Sequence, residues 1–143
     1  MSAARRRRWR RLALGGLAAA VLLPLAHLAL IEVGREVVTL RTQRPDGTWQ
    51  ATRLWIVDDG DVAWLHSGGA EWARRFAGDP VVEVERGGRI VRYRAVAAPG
   101  PHPRVHALLR AKYGLADRWV RWIGPDRADT LAVRLEPLPE PAP

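Results

Sequence analysis

Twenty consecutive residues, Leu12 to Ile31 (LALGGLAAAVLLPLAHLALI), carry no formal charge. At ~1.5 Å per helical residue, such a run is long enough to cross a ~30 Å hydrocarbon layer. Arg5, Arg6, Arg7, Arg8, Arg10 and Arg11 stand immediately before it, and no acidic residue precedes Glu32. A basic cluster on that flank is expected to stay on the cytoplasmic side and send the remainder of the chain across. The rival reading is a cleaved signal, which requires small residues at −3 and −1 after the apolar core. AHLALIEVG offers no clean pair of that kind, and the alanines at 18 to 20 lie too deep in the run. A single-pass, uncleaved anchor held by membrane lipid through residues 12–31 is therefore expected, with residues 1–11 cytoplasmic and the soluble domain extracytoplasmic. That domain is read as residues 32–137, followed by an extended tail at 138–143.

Placing the charge changes its meaning. The formal net charge is +8, but six of the 23 basic residues belong to the arginine cluster. From Glu32 onward 17 basic residues face 15 acidic ones. A balance of +2 is no electrostatic footprint for nucleic acid, and none is expected as a partner. The chain has no cysteine, so neither disulfides nor thiolate-bound metal can contribute.

The remainder reads as strands divided by turns. VVTLRT (37–42) is rich in β-branched residues and is broken by RPDG (44–47). WQATRLWIV then runs into DDGD, for which a two-residue turn at Asp59-Gly60 is expected. That turn would set Val57 opposite Val62, Trp55 opposite Trp64 and Arg53 opposite His66. VVEVE, Gly87-Gly88 and IVRYRAV form the clearest hairpin. Val84 should face Val91, Val82 should face Tyr93, and Glu83 should face Arg92 across it. A slip of one residue would ruin that agreement. AEWARRFAG (70–78) reads as a short helix or irregular chain. Helices are expected from 104 to Gly114 and from 117 to Gly124, and a closing strand over TLAVRL (130–135). Trp119 and Trp122 can share one side of the second helix, with local packing as the expectation. The fold class is mainly β: a small antiparallel barrel of about six strands with two or three short helices, preceded by one transmembrane helix. Closure is favoured because it leaves no exposed sheet edge.

VVTLRTQRPDGTWQATRLWIVDDGDVAWLHSGG followed by EWARRFAGDPVVEVERGG resembles the flavin-binding split-barrel superfamily. That group includes pyridoxamine-phosphate oxidase-like proteins and deazaflavin-dependent nitroreductase or quinone-reductase relatives. The shared features are the Asp46-Gly47 turn, Leu54-Trp55-Ile56-Val57, and Lys112-Tyr113-Gly114. The resemblance runs from Val37 to Pro137 and excludes the apolar segment. It implies a split barrel, FMN or a deazaflavin as cofactor, a homodimer, and a quinone-like or nitroaromatic substrate. The chain departs from the deazaflavin pattern at Gln50, where arginine is usual, and at Arg53, where proline is common. The usual lysine of the turn is also missing.

HSGG is the most suggestive anion contact in the sequence. Gly68 and Gly69 can expose backbone donors, Ser67 adds a hydroxyl, and a helix start would favour negative charge. Arg53 and His66 could converge on the same oxygens, with Arg41 on the neighbouring strand. The competing account is that the two glycines only permit a sharp turn. Trp55 and Trp72 could line or cover an isoalloxazine-sized hollow, although core packing and helix docking explain them too. Lys112 and Tyr113 could touch cofactor, or simply pack a helix end. No catalytic acid or base can be named. His102 and His106 share a helical face but find no third ligand at a persuasive spacing, so no metal is expected.

Overall fold

The computed structural model describes residues 3–44, 46–67, 75, 80–99 and 102–138, apart from the side chains of residues 3–6, 8, 10, 67 and 99. The chain forms two compact units, residues 1–34 and 35–143. The first is one helix, α1 (Ala3–Glu32), with Pro24 inside it. Its 22-residue stretch Arg11–Glu32, with a mean hydropathy of 2.1 within it, is long and apolar enough to cross a membrane.

The second unit is a closed barrel of six antiparallel strands: β1 (Val37–Gln43), β2 (Trp49–Asp59), β3 (Val62–Ser67), β4 (Val81–Arg86), β5 (Arg89–Pro99) and β6 (Leu131–Pro137). Around the barrel the order is β1-β2-β3-β6-β5-β4, and β4 pairs back onto β1 through Leu40 and Val84. The β4–β5 hairpin has the register its sequence implies: Val84 faces Val91, Val82 faces Tyr93, and Glu83 faces Arg92. Gly87 and Gly88 both have positive φ, 56° and 78°, the left-handed pair that a type I′ turn requires.

The β2–β3 hairpin differs from expectation. Val57 faces Trp64, Asp58 faces Ala63, and Asp59 faces Val62, so the turn is Gly60-Asp61 rather than Asp59-Gly60. Trp55 is therefore not opposite Trp64, and Arg53 is not opposite His66. Arg53 instead pairs with Thr39 of β1. The reason lies in the backbone. An Asp59-Gly60 turn of type I′ needs a left-handed aspartate, whereas a Gly60-Asp61 turn of type II′ asks this only of the glycine. Gly60 has φ 65°, and no non-glycine residue among those described has positive φ. The correction is two residues, an even number, so every side chain keeps the face assigned to it.

One face of each strand fills the barrel. Val38, Leu40, Ile56, Ala63, Leu65, Val82, Val84, Ala95, Val133 and Leu135 form a single buried cluster. Eight of these are Val, Leu or Ile, each contributing about 1.5–3 kcal/mol on burial. The opposite face of β2, β3 and β6 is not left to solvent. Helix α2 (Pro103–Tyr113) lies over it, with Val105, Leu109 and Tyr113 packed on Val57 and Ala132 beside Trp55 and Trp64. The spacing of four between these helical residues places them on one stripe. Proline at the first helical turn starts α2, a position where its missing N–H costs nothing. Gly114, with φ 54°, ends it and leads directly into α3 (Leu115–Ile123).

Helix α3 turns Ala116 and Asp117 inward. Trp119 and Trp122 consequently do not settle into a local core. They lie against each other with centroids 5.4 Å apart, and Trp122 remains 76% exposed. The helix expected over 70–78 falls outside the described residues except for Arg75, whose Nη1 donates to Thr52 Oγ1 at 3.2 Å.

Candidate functional site

The candidate side chains on the strands lie on the outer face of the barrel wall. Register and burial alternate so that Leu54 and Ile56 point inward, while Arg53, Trp55 and Val57 point outward. On β1 the outward set includes Thr39 and Arg41, which pair with Arg53 and Ala51. On β3 it includes Trp64 and His66. Arg41, Arg53, Trp55 and His66 thus belong to one wall, although Arg53 and His66 are not direct partners. Arg41 lies 4.0 Å from Glu83. Ser67 closes β3, but its side chain lies outside the described residues, as do Gly68, Gly69 and Trp72.

Trp55, Tyr113 and Lys112 join the end of α2 to the barrel. Tyr113 stacks on Trp55 with centroids 4.5 Å apart and planes 12° from parallel. Its hydroxyl accepts from Ile56 N–H at 3.1 Å and lies 2.8 Å from the carbonyls of both Ile56 and Glu36. The β1–β2 ladder ends at the pair Val37 and Trp55, so the next rung would have joined Glu36 to Ile56. Tyr113 occupies that rung, splicing two strands where they part. Burial pushes its hydroxyl up to about 12, so it remains a donor at ordinary pH.

Lys112 Nζ donates to Ile56 O at 2.7 Å and to the Glu36 carboxylate. Arg86 completes this corner with a fork: Nε donates to Glu36 Oε1 at 2.5 Å, while Nη1 and Nη2 reach Asp58 at 2.8 Å each. Hydrogen bonds from Arg86 are the leading reason that the Glu36 and Asp58 carboxyls sit below their ordinary values, with Lys112 adding to the effect at Glu36. Arg86 in turn is held more firmly protonated by Asp58 and Glu36.

A second cluster forms at the other end of α2. His66 from β3, His106 from α2 and Asp126 from the loop after α3 bring one ligand atom each to a common point. His106 Nε2 is 2.8 Å from Asp126 Oδ2, and His66 Nε2 is 3.2 Å from His106 Nε2 and 3.5 Å from Asp126 Oδ2. His102 stands beside them, its ring edge-on to His66 at 6.1 Å, and its Nε2 accepts the Ala132 N–H at 3.2 Å. Behind Asp126, Arg121 donates through Nε to both oxygens of buried Asp117 at 3.0 Å and places Nη1 3.9 Å from Asp126. Burial lowers the basicity of His66 to about 4, partly countered by Asp126. Burial also lowers His106, assisted by the Arg121 charge. His66 is therefore neutral at physiological pH.

Sequence reasoning singled out His66 and the pair His102 and His106, but not Asp126. Sixty residues separate His66 from Asp126, and no periodicity links a loop residue to a strand. The only available signal was the Gly124-Pro125 stop, which marks where the chain must turn back from α3 toward β6.

No family model matches the chain, and no curated protein does. Solved structures do. An F420 reductase superposes with a TM-score of 0.51 at 23% identity, covering 78% of this chain and 93% of its own. A putative pyridoxamine 5′-phosphate oxidase from Listeria innocua gives 0.51 at 18%, covering 82% and 94%. HutZ, the heme storage protein from Vibrio cholerae, gives 0.57 at 15%, covering 75% and 84%. The three names describe different work. What this chain shares with them is the split-barrel fold, extending over most of each protein.

Proposed function

We propose that the protein is a membrane-tethered split barrel that binds FMN or a deazaflavin, and that it supports two-electron reduction of a quinone-like or nitroaromatic acceptor. The observation carrying this reading is the closed six-strand barrel itself. It is shared with an F420 reductase and a putative pyridoxamine 5′-phosphate oxidase over more than nine-tenths of each. Fold likeness alone does not assign chemistry, so the residues must be consistent with it. Arg41 and Arg53 are diagonal neighbours on the outer wall, with Trp55 next along β2. Two guanidinium groups suit a phosphate, and an indole suits the edge of a flavin ring. Ser67, Gly68, Gly69 and Trp72 are the further cofactor candidates that the sequence offers. The cofactor would carry the redox step, and the chain would hold its phosphate and ring. A homodimer, as the family resemblance implies, would cover this wall.

The proposed topology places Arg5 to Arg11 in the cytoplasm, α1 across the bilayer and the barrel outside. The length and apolarity of Arg11–Glu32 support the span, and the flanking arginines are the reason for the orientation.

A second reading has its own support. Trp55, Lys112 and Tyr113, all cofactor candidates by sequence, are engaged in docking α2 onto β2. A tethered barrel acting as an interaction or small-ligand module would need nothing more from them. The two readings part on one measurement. Full-length protein in detergent is mixed with FMN, FAD or F420, and bound cofactor is read by absorbance and fluorescence. Binding at micromolar concentration that weakens in Arg53→Ala supports the flavin reading. Absence of binding by all three leaves the module.

A further inference from the structure

We propose that His66, His106 and Asp126 form a binding site for a first-row divalent transition-metal ion such as Zn2+. This goes beyond the flavin reading and does not depend on it. Three separate elements, β3, α2 and the loop after α3, each contribute one ligand atom, and all three atoms lie within 4.8 Å of one another. Ligands about 2.0–2.1 Å from a shared ion stand roughly 3.0–3.4 Å apart, depending on coordination geometry. The separations here are 2.8, 3.2 and 3.5 Å, which bracket that span.

Without a metal, the three groups are joined by contacts whose donor and acceptor roles depend on the histidine tautomers. A neutral imidazole carries a single ring proton. A proton on His106 Nε2 must divide between Asp126 Oδ2 at 2.8 Å and His66 Nε2 at 3.2 Å. One cation satisfies all three lone pairs together.

The surroundings are organised as a supporting shell. Ala132 is the β6 residue opposite His66, and its N–H is bonded to His102 Nε2. His102 therefore pins the start of α2 at the rung where His66 stands, which holds His106 over it. With its own Nε2 committed, His102 is not a ligand. Arg121, with Nη1 3.9 Å from Asp126, is neutralised by Asp117 through both Asp117 oxygens, and Arg110 lies 3.9 Å from the same carboxylate. Two nitrogens and one oxygen favour Zn2+, Fe2+ or Co2+ over Ca2+ or Mg2+. Three protein ligands leave at least one position open for water or a small ligand.

The test uses full-length, flavin-free protein without a histidine tag, stripped by EDTA and titrated with Co2+. Visible d–d bands that saturate near a single equivalent and vanish on adding Zn2+ are expected. His106→Gln and Asp126→Asn should each weaken Co2+ binding by about 10-fold or more, whereas His27→Gln should leave it unchanged. Asp126 lies on an exposed loop, so its nearly isosteric variant keeps the test valid even if a histidine variant fails to fold. Absence of bands at ten equivalents of Co2+ overturns the proposal. So do bands that persist in Asp126→Asn and His106→Gln alike. Because flavin is absent throughout, neither result bears on the cofactor reading.

Discussion

Replacing Tyr113 by phenylalanine removes one oxygen atom and should open the seam between β1 and β2. In the native barrel that oxygen accepts from Ile56 N–H and lies within donating distance of the Glu36 and Ile56 carbonyls. Ile56 is fully buried and Tyr113 is 2% exposed, so water cannot readily take the place of the hydroxyl. The Ile56 carbonyl keeps Lys112 as a donor, while the Ile56 N–H loses this acceptor. A buried donor left unpaired costs about 1–3 kcal/mol. The stacking on Trp55 survives, so the cost should fall near the middle of that range, about 2 kcal/mol. For a domain of this size each kcal/mol moves Tm by roughly 4–8 °C, giving a fall of about 10 °C. Tyr113→Leu should lose a further ~0.5–1.5 kcal/mol of ring–ring interaction. The assay is urea and thermal unfolding of the full chain in detergent, followed by near-ultraviolet circular dichroism from the tryptophans. A Tyr113→Phe protein within ~0.5 kcal/mol of the parent would refute the seam, because ordinary surface changes fall in that range. A flavin affinity that fell with no loss of stability would move Tyr113 from packing to cofactor contact.

Three further outcomes are expected. Glu36 and Asp58 titrate below their ordinary values near 4.5 and 3.8 because Arg86 bonds both. The unfolded chain therefore takes up protons first as pH falls, and the stability they contribute, present at neutral pH, is lost below about 4.5. Arg86→Met should flatten that acid limb in urea midpoints collected from pH 6 to 3. An unchanged slope would deny the fork its role. Gly60→Ala should destabilise the barrel by about 1–2 kcal/mol, because a left-handed φ of 65° is required there. A Cβ at that position meets nothing within 4 Å, so an effect much larger than this in chemical denaturation would point to another cause. Finally, protein lacking residues 1–34 should appear in the soluble extract, while full-length protein resists carbonate extraction and exposes a carboxy-terminal tag only outside the cell. A tag reached only from the cytoplasm would reverse the proposed topology.

Local pattern settled much of the architecture. The apolar run from Leu12 to Ile31 marks α1 from composition alone, since length and apolarity are linear properties. Gly87-Gly88 and its flanking alternation determine the β4–β5 register, because left-handed turn residues and period-two burial agree only in one alignment. Where turn chemistry admits two answers, as in DDGD, the choice moved to the folded chain. The backbone preferred to place its left-handed residue at Gly60 and not at an aspartate. The meeting of His66 with Asp126, and the Tyr113 hydroxyl standing in for a strand rung, were decided only by barrel closure and the docking of α2. These contacts join residues 60 and 57 positions apart. Chain neighbours carry no trace of them, because what selects such pairs is the packing of a helix on a curved wall.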